Sequence, residues 1–215
     1  MTEKSGIKHI AVAGNIGAGK TTLATKLSLH FGWETYYEDV DHNPYLEDFY
    51  ENMTRWSFNL QIYFLNSRFN QIREIQKGSK TVIQDRTIYE DAYIFAPNLY
   101  EMDLMSERDF QNYITLFRTM SATFGAPDLL IYLRASTETL IKQINKRGRD
   151  FEANIREDYL ARLNNYYENW IDRYKAGPLL IINVDEINYA DEEEGLQRVI
   201  EQVTNKLMEL SGRSS

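Results

Sequence analysis

Ile10-Ala11-Val12-Ala13 runs without a break into Gly14-Asn15-Ile16-Gly17-Ala18-Gly19-Lys20-Thr21, and Leu23, Leu27 and Phe31 then recur at helical spacing. The middle stretch matches G-x-x-x-x-G-K-[ST], placed between a strand and a helix as that motif requires. Its glycines let backbone N–H groups converge on phosphate oxygens, and the next helix points its N-terminus at the anion. Lys20 brings a positive charge to the β and γ phosphates, and the Thr21 hydroxyl can ligate Mg²⁺. Positions 14–21 are therefore predicted to bind the phosphates of a nucleoside triphosphate, with Thr22 beside them.

Beyond the loop, short β-rich runs alternate with longer helical ones. Residues 9–13, 34–38, 81–85, 129–134 and 179–184 read as strands. Residues 20–31, 54–77, 106–124, 137–147, 156–174 and 192–210 read as helices, with Ser106 as an N-cap. The acidic run 191–194 suits a helix first turn. Strands joined by helical crossovers predict an α/β fold, a five-stranded parallel sheet flanked by helices. No linker or repeat divides the chain, so 1–215 reads as a single domain. Ligands of such sheets bind beyond the carboxyl ends of the strands, so residues just after a strand carry the most weight.

A phosphate loop alone leaves the chemistry open. A GTPase reads its base with N-K-x-D, and Asn145-Lys146-Arg147-Gly148 breaks that pattern at the acid. The strand ending at Asp85 is succeeded directly by Arg86, a pair suited to handling both Mg²⁺ and a substrate oxygen. Glu38 ends the second strand, a carboxylate within reach of an acceptor hydroxyl. A balance of 24 basic against 32 acidic residues, net −8, argues against a nucleic-acid polymer or a membrane surface as partner. Against that background, Lys142, Lys146, Arg147 and Arg149 concentrate positive charge in one place. Cysteine is absent, which excludes disulfides, a thiolate nucleophile and Cys-ligated zinc. No apolar run approaches the roughly 18 residues needed to span a bilayer, and a soluble, cytoplasmic protein is expected.

Together with residues 46–51, 55–63, 85–91 and 146–152, these motifs resemble the deoxynucleoside kinase family from the phosphate loop to about Asp185. Residues 38–46 and 56–65 are similar to its bacterial deoxyadenosine/deoxycytidine kinase branch. The resemblance implies a P-loop NTPase-type fold with an arginine-rich lid at about 143–155, and transfer of the ATP γ-phosphate to the 5′-OH of a deoxynucleoside. It implies that Glu38 is the general base and that Arg86 holds that base and the 5′ oxygen. By the same resemblance Asp85, with Thr21, is linked to Mg²⁺, and Tyr50 and Glu152 bond the sugar 3′-OH. Gln61 reads the base edge, Arg68 and Asp91 tune base choice, and Arg147 and Arg149 close over the donor phosphates. A homodimer is implied by the family alone. Where relatives carry a further lid arginine, this chain has Gln143.

The residue types support these roles, since phosphoryl transfer asks chiefly for positioning and charge stabilisation. Gln61 can both donate to and accept from a nucleobase edge, and Arg68 lies two helical turns along the same face. Plainer readings stand beside them. Glu38 can also be read as a solvated acid, Arg68 and Asp91 as a structural ion pair, Tyr50, Trp56 and Phe58 as core aromatics, and Lys142, Lys146, Arg147 and Arg149 as a solvated helix face. His9, His30 and His42 show no metal-ligand spacing. A nucleoside monophosphate kinase would need arginines on the acceptor side and no base, and a nucleotide-dependent switch would leave the lid unexplained. Deoxyadenosine is the expected best substrate, with deoxycytidine accepted, thymidine poor, and a deoxyguanosine preference as the alternative.

Overall fold

The computed structural model describes residues 6–212 apart from 39, 41, 150, 151, 153 and 154. Part of the expected lid therefore lies outside the described residues. Five parallel strands form one sheet in the order β2-β3-β1-β4-β5: β1 His9–Gly14, β2 Glu34–Tyr36, β3 Val82–Asp85, β4 Leu129–Arg134 and β5 Leu179–Asn183. The three central strands are buried almost throughout, as expected of continuous apolar runs covered on both faces. On one face Leu23 and Leu27 of α1 (Lys20–Phe31) share a core cluster with Val199 and Val203 of α9 (Glu193–Gly212). On the other, Leu163, Tyr167 and Ile171 of α8 (Glu157–Asp172) cover Ala11, Ala13, Leu130 and Tyr132.

The strands fall where the sequence places them, within a residue or two at their ends. The acidic run also differs slightly, because α9 starts at Glu193 rather than at Asp191. Two helical regions go beyond the sequence expectation. Residues 46–51 form a short helix, α2 (Leu46–Glu51). Residues 88–101 form α4 (Ile88–Glu90), a π-helical turn (Asp91–Phe95) and α5 (Ala96–Glu101). Both are too short for a 3.6-residue period to stand out, and they fold by docking on the long α3 (Met53–Lys77). Helix α3 is capped by the Asn52 side chain, and α6 (Glu107–Ser121) by Ser106 as expected. Helix α7 (Thr137–Arg147) ends at Gly148 in the left-handed conformation, φ 67°. Among the described residues no helix is long and apolar enough to cross a membrane.

Candidate active site

The register sets Val12 opposite Asp85 and Gly14 opposite Leu133, so the loop leaving β1 opens beside the ends of its neighbours. There a cavity of about 790 Å³ runs from the phosphate loop to the base of α3. Ile16, Gly17, Gly19, Lys20, Thr21 and Thr22 line it, while Gly14, Asn15 and Ala18 lie outside its wall. The last glycines are obligatory. Gly19 holds φ 88°, and a Cβ there would stand 2.4 Å from the Tyr189 hydroxyl. At Gly17, φ 84°, a Cβ would meet the Leu140 carbonyl at 2.8 Å. Asn15 pins the loop from behind, donating to the Leu160 carbonyl at 3.0 Å and to Asn164 at 2.6 Å.

Lys20 is buried and donates to the Asn15 carbonyl at 3.0 Å. Burial first, then the nearby Arg86, lowers its pKa to about 8. Thr21 Oγ1 donates to Asp85 Oδ2 at 2.5 Å, while Asp85 Oδ1 is buried without a hydrogen-bond partner. A hydroxyl and a carboxylate oxygen are the hard donors Mg²⁺ takes, usually beside phosphate oxygens and water. The two residues therefore fit that ion.

Glu38 faces the loop across the cavity. Its Oε1 accepts from Arg68 Nη2 at 2.6 Å and pairs with Arg86 Nε at 3.2 Å. Burial pushes its pKa up, but Arg86, Arg68 and Lys20 together outweigh that and hold the carboxyl at about 2. Arg86 lies over the Phe95 ring, 4.5 Å from its centroid. Arg68 also pairs with Asp91, 2.9 Å from Nη1 to Oδ2, and burial raises Asp91 to about 7. The sequence pairs Arg68 and Asp91 at the base end. The structure adds that one guanidinium bridges Asp91 and Glu38, and that it sits behind the cavity wall rather than in it.

Gln61, Tyr50, Asp91 and Glu152 all line the cavity, and Gln61 Oε1 is buried without a partner. Arg147 hydrogen-bonds Glu152 through Nε and Nη2, and Arg149 pairs with it at 3.7 Å. The acid expected to bind the sugar and the arginines expected in the lid thus form one cluster. Gln143 and Lys146 also reach the wall, and Lys146 is tied to Asp191 at 2.6 Å. Phe64, Phe95 and Tyr159, which complete the apolar lining, were indistinguishable from core residues in the sequence. Glu90, inside the 85–91 stretch but given no role by the sequence, lies buried behind the loop with Tyr167.

The family model for deoxynucleoside kinases matches residues 10–209. The deoxyadenosine/deoxycytidine kinase of Bacillus subtilis is 39% identical over 91% of this chain and 91% of its own length. The deoxyguanosine kinase of Lactobacillus johnsonii is 37% identical over 94% of this chain and 93% of its own. A deoxyadenosine kinase from M. mycoides, solved with the products dCMP and a flexible dCDP bound, superimposes with a TM-score of 0.81 at 30% identity. That match covers 92% of this chain and 99% of the other.

Proposed function

The chain belongs to the deoxynucleoside kinase family, and from that premise we propose which of its residues carry ATP-dependent phosphoryl transfer and which deoxynucleoside it prefers. The observation that carries the residue roles is the meeting of Glu38 and Arg86 with the Lys20 loop around one cavity. A carboxylate held by an arginine next to a phosphate loop suits a hydroxyl acceptor, not a phosphate acceptor. Lys20, with Arg147 and Arg149 from the lid side, neutralises the donor phosphates. Glu38 orients the 5′-OH and takes its proton, and Arg86 fixes Glu38. A carboxylate held at about 2 is a weak base. That is tolerable because the transition state is loose and the proton need leave only late. Thr21 and Asp85 would hold Mg²⁺, which supplies charge stabilisation between the donor phosphates. Tyr50 and Glu152 take the sugar 3′-OH, and Gln61 takes the base edge with Arg68 and Asp91 behind it.

Deoxyadenosine is the preferred acceptor in this reading, with deoxycytidine second. The polar set at the base end supports it, and so does the likeness to the B. subtilis enzyme. The L. johnsonii relative is nearly as similar and favours deoxyguanosine as the second reading. Initial rates over the four deoxynucleosides at fixed ATP decide between them: a kcat/KM for deoxyguanosine above that for deoxyadenosine selects the second. In this reading the protein acts in the cytoplasm as a homodimer, and Tyr93, 48% exposed and stacked on the half-buried Tyr89, supports a protein contact there.

A further inference from the structure

Glu90 is fully buried, and donors from three elements converge on its carboxylate. The Gly14 N–H donates to Oε1 at 3.2 Å, and the Tyr167 hydroxyl lies 2.8 Å from the same oxygen. The Thr87 N–H donates to Oε2 at 2.6 Å. Thr87 Oγ1 in turn accepts the Glu90 N–H, closing a capping box at the start of α4. The Tyr167 hydroxyl is also 2.8 Å from the Gly14 carbonyl oxygen. Acceptors are required on both oxygens, which a carboxylate supplies. A glutamine has one acceptor oxygen and would set an NH₂ against one of the donors.

The position matters because of what flanks each donor. Gly14 opens the phosphate loop. Thr87 is next to Arg86, which holds φ 70°, a conformation that a non-glycine residue keeps only where its surroundings impose it. The capping box fixes the turn that imposes it. Thr21 and Asp85 also join the two sides, but both of those side chains have donor oxygens suited to a metal. The Glu90 link is built from protein groups that the donor does not compete for.

We propose that Glu90, assisted by Tyr167, is a positioning residue that locks the start of the phosphate loop to the Arg86 turn. It thereby sets the separation between the transferring phosphoryl group and the acceptor hydroxyl. Reacting atoms must be held about 3–3.5 Å apart, and a misplacement of about 1 Å costs on the order of 10²-fold. The inference rests on the roles proposed above for Arg86 and the loop.

Steady-state kinetics and calorimetric nucleoside binding of Glu90→Gln, Tyr167→Phe and the double variant test it. Glu90→Gln is expected to lose on the order of 10²-fold in kcat, and Tyr167→Phe about 10-fold. Both should keep the nucleoside Kd within about twofold, and the double variant should be no slower than Glu90→Gln, since the two act as one unit. A folded Glu90→Gln with wild-type kcat overturns the proposal, and so does a kcat loss matched by an equal loss of nucleoside affinity. If Glu90→Gln does not fold, Tyr167→Phe decides, and a wild-type kcat there overturns it. Arg86→Ala separates the two levels. An unimpaired Arg86→Ala refutes the proposed site, whereas an impaired Arg86→Ala beside an unimpaired Glu90→Gln refutes the clamp alone.

Discussion

Glu38 illustrates how much one side chain's role depends on its neighbours. Buried without partners it would be protonated and useless as a base, but two guanidiniums keep it charged. Glu38→Gln is expected to lower kcat by on the order of 10²–10⁴-fold, the usual worth of a general base, with nucleoside binding roughly intact. Rapid-quench measurement of product formation checks this, and a near-wild-type rate removes Glu38 from the role. Because Arg68 bridges Asp91 and Glu38, the role proposed for Arg68 and Asp91 in base choice is tied to the charge state of Glu38. Replacing Arg68 by Met and Asp91 by Ala together should raise thymidine use relative to deoxyadenosine, since the polar Asp91 on the cavity wall and the guanidinium behind it give way to apolar groups that suit the 5-methyl. The same contacts set the sign of the pH effect. With its folded pKa near 2, Glu38 stays ionised as pH falls through the ordinary carboxylate range. Losing Arg68 weakens the lowering, so the acid limb of kcat/KM should move to higher pH in the double variant. Asp91→Ala alone is the reference for that shift, so that the titration of Asp91 is absent from both profiles. A pH–rate profile with an unmoved limb would show that Arg68 does not act on Glu38.

At the scale of elements, the site depends on two short helical pieces that leave little trace in the sequence pattern. Helix α2 brings Tyr50 to the cavity, and α4 with its π turn brings Asp91 and Glu90 inward. A π turn shifts the angular phase of the residues after it, so helical spacing counted from Ile88 does not say which side chains face the pocket. Tyr50 lines the same cavity as the cluster of Arg147, Arg149 and Glu152. A 2′,3′-dideoxynucleoside should therefore be a much poorer substrate, because removing the 3′-OH leaves buried polar groups unpaired. Equal kcat/KM for deoxy and dideoxy forms would take the 3′ position away from Tyr50 and Glu152.

For the whole molecule, Tyr93 of the π turn stands exposed, stacked on the half-buried Tyr89 above the buried Phe117 of α6, a small aromatic patch on the outside. If it is the dimer face, light scattering should give a mass twice that of the chain, and Tyr93→Asp should shift the protein to monomer. A wild-type monomer would refute the dimer. The sequence by itself determined the five strands, the six longer helices and the phosphate loop, because hydrophobic period and glycine spacing are local properties of the chain. It also marked Glu38 and the Asp85-Arg86 pair, since residues that come after strands in a parallel sheet must gather at one edge. Only the tertiary structure decided who partners whom there. That Arg68 reaches Glu38 and that Glu90 reaches Gly14 each depend on elements far apart in the chain meeting within hydrogen-bond distance. Such contacts turn on tenths of an ångström in packing, and no local pattern encodes them.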